Sequence, residues 1–117
     1  MILANPAGYL NGSRTTTGTI LTIPAGASAT VNIQISASVA ALGTGTPNVT
    51  LSGGGVGMSP PSGSVLCRES ISGLALTTVT GDGYQEVLML VGDADATLQF
   101  ATGGATSASV TVNGAYN

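Results

Sequence analysis

Apolar and polar side chains alternate along residues 29–39, which read Ala29-Thr30-Val31-Asn32-Ile33-Gln34-Ile35-Ser36-Ala37-Ser38-Val39. A period of two marks a half-buried strand, because successive Cβ atoms leave a strand on opposite faces. The pattern puts Val31, Ile33, Ile35, Ala37 and Val39 on a core face and Asn32, Gln34, Ser36 and Ser38 on the other. A second run, Thr19-Ile20-Leu21-Thr22-Ile23, lies just upstream, and Pro24-Ala25-Gly26 separates the two. Proline ends a ladder and Gly26 accepts a positive φ, so a turn is expected there and the two runs are expected to pair as a β-hairpin.

Further strands are predicted at 65–69, 74–80, 84–91, 96–101 and 107–113, with turn residues between each pair. Gly81-Asp82-Gly83 reads as a tight hairpin turn joining 74–80 to 84–91, since both glycines tolerate left-handed geometry. Residues 40–64 hold room for one short strand around Val49 and Leu51, followed by Gly53-Gly54-Gly55 and a loop, Met58-Ser59-Pro60-Pro61-Ser62-Gly63-Ser64, of extended character. Residues 1–13, with Asn5-Pro6, Gly8 and Asn11-Gly12, read as an N-terminal arm, and 14–117 as a single domain. No helical period occurs. About seven or eight short strands spaced near ten residues apart predict an all-β fold, a β-sandwich or jelly-roll-like barrel.

Composition narrows what such a fold does. Gly, Ala, Ser and Thr fill 61 of 117 positions, while His, Lys and Trp are absent and Arg14 and Arg68 are the only basic residues. Two scattered arginines do not supply the phosphate contacts that dominate nucleic-acid affinity, so no nucleic-acid partner is expected. The longest apolar runs, such as Val87-Leu88-Met89-Leu90-Val91, fall far short of the roughly 20 residues of a membrane span, so no membrane partner is expected. The first residues lack a basic n-region and an apolar h-region, which points to synthesis in the cytoplasm. Charged residues are only 6% of the chain, and strands without lysine lack a common guard against edge pairing; the chain is therefore expected to work inside an assembly.

Candidate chemistry is sparse. Asp93-Ala94-Asp95 resembles the start of a calcium loop, but the remaining oxygen ligands do not follow, and a plain turn is the better reading. Asp82 with Glu86, or Glu69 with Asp82, would make a glycosidase carboxylate pair only in a cleft walled by aromatic rings, and the chain has just Tyr9, Tyr84, Tyr116 and Phe100. Cys67 beside Arg68 has no histidine to activate it and reads as a small buried hydrophobe; as the single cysteine it forms neither an intrachain disulfide nor a structural zinc cluster. Gly53-Gly54-Gly55-Val56-Gly57 lacks the lysine of a phosphate loop and reads as a flexible connection or a point of close backbone approach. Arg14 and Arg68 are expected to bond carboxylates or carbonyls between strands or subunits. No catalytic residue, metal or cofactor is expected.

The stretch Thr19-Ile20-Leu21-Thr22-Ile23-Pro24-Ala25-Gly26-Ala27-Ser28-Ala29-Thr30-Val31, with its alternating continuation to Val39, resembles the hairpins of small all-β virion proteins of tailed bacteriophages. The tail from Thr102 to Val112 is similar in style. The resemblance implies a non-enzymatic virion structural protein, foremost a capsid decoration (cement) protein that binds the outer capsid surface. It also implies a homo-oligomer, commonly a trimer, a major capsid protein or other virion protein as partner, and location in the virion after synthesis in the host cytoplasm. The residues expected at the partner interface are Ile2, Leu3, Tyr9, Leu10 and Arg14, with the edge of the first hairpin. A carbohydrate- or receptor-binding β-sandwich module and a self-assembling coat or fibre subunit remain as the other readings.

Overall fold

Ten strands, and no helix among the described residues 6–117, make up the computed structural model. They are β1 (Gly8–Arg14), β2 (Gly18–Ile23), β3 (Ser28–Val39), β4 (Thr44–Gly45), β5 (Asn48–Gly53), β6 (Val65–Arg68), β7 (Ile71–Ser72), β8 (Val79–Leu90), β9 (Ala96–Ala101) and β10 (Ser107–Tyr116). Two four-stranded antiparallel sheets, ordered β1-β10-β3-β8 and β2-β9-β5-β6, face one another, and β4 pairs with β7.

The pairings are nested. β1 pairs with β10, β2 with β9, β3 with β8, β4 with β7 and β5 with β6. Such nesting describes one long hairpin, closed between β5 and β6, whose successive rungs are rolled alternately into two sheets. The lateral pairs β10 with β3 and β9 with β5 then seal the roll. This winding is the jelly roll, and the all-β fold expected from the sequence is the one found.

The alternation along β3 is realised as read. Val31, Ile33, Ile35, Ala37 and Val39 are buried, and Gln34 is exposed on the opposite face. From the facing sheet come Val49, Leu51, Leu98, Phe100 and Ile23, all at most 1% exposed. Since β3 is flanked on both sides, its apolar row packs against Val110 and Val112 of β10 as well.

Three expectations change. The run 19–23 is a strand and Ala27 does donate a turn hydrogen bond to Pro24 (3.2 Å), with Gly26 at φ 78°, but β2 and β3 do not pair. The turn carries the chain across from one sheet to the other, with Ile23 and Ala29 on either side of it both buried between the sheets. Gly81-Asp82-Gly83 is not a turn: β8 runs straight through it, opposite Ala37, Ser36 and Ile35, with neither glycine in the left-handed region. A twelve-residue β3 offers a continuous partner, and the ladder outweighs the local turn preference of Gly-Asp-Gly. Finally, the arm expected over 1–13 is, from Gly8 onward, strand β1, hydrogen-bonded along its length to β10. Ile2 and Leu3 lie outside the described residues.

Candidate functional site

The two flanks of the roll are built differently. At one flank β1 turns directly into β2, and the Arg14 guanidinium knits the connection together. Its Nε donates to the Thr16 carbonyl (2.9 Å), Nη1 to the Thr19 carbonyl (3.1 Å), and Nη2 to the Thr17 carbonyl (3.2 Å) and Thr16 Oγ1 (3.0 Å). Backbones meet closely here: a Cβ on Gly12 would stand 2.8 Å from the Ile20 carbonyl oxygen. The expectation that Arg14 bonds carbonyls between strands holds within the molecule, where the side chain is engaged with its own turn.

At the other flank, β6 and β8 are the edge strands of facing sheets and leave a cleft of about 480 Å³ between them. Its walls come from Val65 to Glu69 on one side and Asp82 to Gln85 on the other. The cleft exists because β8 carries glycine where its inward face would otherwise present side chains, at Gly81 and Gly83. Glu69 reaches over them: a Cβ on Gly83 would lie 3.0 Å from Glu69 Oε2 and 3.7 Å from Cys67 Sγ. Cys67 is buried at the base. Burial pushes its thiol above the ordinary value, and the nearby Glu69 charge pushes the same way, so the sulfur is held as an inert neutral thiol.

The carboxylates that the sequence singled out are thus partly gathered. Glu69 and Asp82 line the same cleft, with Tyr84 as the one aromatic ring in its wall. Asp82 and Glu86 sit two rungs apart on the exposed side of β8 with Tyr84 between them. Tyr84 Oη donates to Asn32 Oδ1 (3.0 Å) and Asn32 Nδ2 to Asn113 Oδ1 (3.3 Å), a polar chain across the outer face of the β1-β10-β3-β8 sheet.

Asp93 and Asp95 work as loop anchors. Asp93 Oδ1 accepts from the Val56 amide (2.8 Å) and Asp95 Oδ1 from the Ala25 amide (2.9 Å), each fixing a different loop. Backbone bonds from Gly54 to the Asp95 carbonyl (2.9 Å) and from Asp93 to the Val56 carbonyl (3.1 Å) complete the clasp. The glycine run 53–57 is therefore a place of close backbone approach, with Gly53, Gly54, Gly55 and Gly57 all at positive φ. Among the described residues no three His, Cys, Asp or Glu side chains gather as a metal site.

Of the expected interface residues, Tyr9 is exposed at 82%, whereas Leu10 is buried in the core at 7%. Strand alternation explains the split: once 8–14 is a strand, neighbours 9 and 10 take opposite faces. What sequence reading missed is the apolar surface along β8 and its approach. Leu74, Leu76, Val79, Tyr84, Leu88 and Leu90 are all exposed, Leu76 at 95%. The signal was present in the alternation of 84–91, but a strand assigned to a hairpin hides which of its edges is free. In comparisons with known proteins, no family model matches the chain, and neither a curated protein nor a solved structure matches it.

Proposed function

We propose that this chain is a non-enzymatic structural subunit of a virion, in the role of a capsid decoration protein that joins its particle through the flank formed by β6 and β8. The observation that carries this reading is the concentration of exposed large apolar side chains on β8 and the segment before it, six between Leu74 and Leu90. Six large apolar side chains exposed within seventeen residues, on a chain with so few charges, make a surface suited to being covered. The jelly-roll winding agrees, being used by viral capsid domains, and so does the absence of a nucleophile–base pair in a chain without histidine or lysine. Repeated by the symmetry of a particle, many weak apolar contacts give firm attachment without a charged hot spot. A homotrimer is the expected state of the free protein. Antibody raised against the purified chain, applied with gold label to intact particles released by the cells that make it, is expected to decorate the head surface. Particles left unlabelled contradict the proposal.

Lectin domains use the same winding, and one observation favours a carbohydrate-binding reading as the second choice. Tyr9 and Tyr84 are both exposed on the outer face of one sheet, with the Asn32–Asn113 amides between them, a combination of rings and amides suited to sugars. Binding on a glycan array that is lost in Tyr84→Ala would move this reading to first place.

A further inference from the structure

We propose that the free edge of β8 takes up an extended segment of another protein as an added strand, and that this segment carries basic side chains. The docking mode rests on the reading of the chain as an assembly subunit and specifies what its open flank holds.

The direction of the β8 backbone groups is fixed by one contact. Leu90 and Ser59 exchange both hydrogen bonds, amide to carbonyl, at 2.9 and 2.7 Å, on the side of β8 away from β3. The register with β3 is unbroken from Leu90 to Val79, so alternate residues back along the strand point their N–H and C=O the same way. The backbone groups of Thr80, Asp82, Tyr84 and Leu88 therefore face outward with no backbone partner among the described residues, while the Glu86 carbonyl between them accepts from Gln85 Nε2 (3.3 Å). Ser59 already shows at one end what a strand laid along this edge would do. A row of outward amides and carbonyls on a long strand is the template used when an extended peptide adds to a sheet.

Side chains say which strand fits. An added strand alternates between the two faces of β8. Toward the interior, Gly81 and Gly83 carry no side chain of their own and Glu69 lies over them, so the incoming side chain enters the cleft beside Glu69, near the buried Cys67. On the outer face it meets Asp82 and the Tyr84 ring. An acid thus stands on each side of the edge, and a segment with lysine or arginine opposite Asp82 and opposite Glu69, and an apolar residue beside Tyr84, matches both. A second copy of this chain does not. Its own edge strand β8 carries no Lys or Arg, and two antiparallel β8 strands paired at Tyr84 set Asp82 against Glu86.

The test is selection from a randomised nonapeptide library against the immobilised full chain, followed by fluorescence anisotropy on the enriched peptides. The expected sequences are free of proline in the middle and rich in Lys or Arg spaced among apolar residues. Asp82→Pro removes an outward N–H together with the Asp82 carboxylate, a change that an edge strand tolerates, and is expected to weaken these peptides at least tenfold with the circular dichroism and melting of the fold retained. Asp82→Lys leaves the backbone edge intact and is expected to weaken basic peptides several-fold. No enrichment, enrichment of acidic sequences, or undiminished binding to Asp82→Pro overturns the proposal. So does self-association of the unaltered chain that Asp82→Pro abolishes, since the edge would then belong to a second copy. Unlabelled particles in the antibody experiment remove the virion reading separately, and labelled particles with no peptide enrichment leave that reading standing without this docking mode.

Discussion

The β1/β2 flank and the β6/β8 flank close the same roll with opposite means. On the first, seven residues of β1 are followed by a short connection in which Arg14 bonds the Thr16 and Thr17 carbonyls and reaches the Thr19 carbonyl of β2, and Gly12 lets one backbone lie against another. On the second, a four-residue β6 faces a twelve-residue β8, and the glycines at 81 and 83 are met by the Glu69 and Ile71 side chains rather than by backbone. Glycine is used on both flanks, once to let backbones meet and once to make room for side chains that reach across. Which of the two a glycine does depends on whether backbone or a flexible side chain lies opposite, and composition alone carries none of that information.

The contrast is open to direct attack, beginning with core leverage. Leu10→Ala, at the closed flank, empties a buried site and is expected to cost about 3 kcal/mol, whereas Leu66→Ala, only partly buried beside the cleft, is expected to cost about 1 kcal/mol. Urea melts of the two variants measure the difference, and equal losses would erase the distinction between flanks.

Next in size are the glycines themselves. Gly12→Ala drives a Cβ onto the Ile20 carbonyl and is expected to lose about 2 kcal/mol. Gly83→Ala meets the end of the Glu69 side chain, which swings aside, and is expected to stay within about 0.5 kcal/mol of the parent. Thermal denaturation of the pair tests whether the contacts opposite the two glycines differ as described.

The arginines should separate by a smaller margin. Arg14→Met removes four hydrogen bonds from the turn and is expected to lower stability by about 1 kcal/mol, the loss being moderated by water that replaces the guanidinium. Arg68→Met, at an exposed position of the cleft wall, is expected to fall within about 0.5 kcal/mol of the parent.

Smallest in energy is the thiol. With its proton affinity raised in the folded chain, Cys67 supports stability fully below the ordinary thiol range and loses that contribution as pH rises beyond it. Native protein should alkylate slowly with iodoacetamide, Glu69→Gln should alkylate faster, and a denaturant midpoint that falls above the thiol range should fall less in Cys67→Ala. Rapid alkylation of the unaltered native protein would mean that the cleft base is open to solvent.

How much of this was legible in the sequence follows from what is local. Period two placed β3 and its inward row, and the Pro24-Ala25-Gly26 turn is real, because both depend on neighbouring residues alone. Pairing was not legible. In a rolled hairpin only β5 and β6 are both sequence neighbours and partners, while β1 finds β10 and β3 finds β8 across most of the chain. Assigning partners by proximity therefore failed at the first hairpin and at Gly81-Asp82-Gly83. The same failure hid the site, since a strand believed to be tied into a hairpin offers no free edge at Thr80 to Leu88. Tyr9 and Leu10 show the finer version: both are large and apolar, and only the strand assignment of β1 sends one outward and the other into the core.

The assembly reading is tested most directly by the mass of the purified chain in solution, measured by size exclusion with light scattering at micromolar concentration. The expected value is three times the 11.3 kDa of the chain, in a single species without particles. A clean 11.3 kDa monomer with no tendency to associate contradicts it.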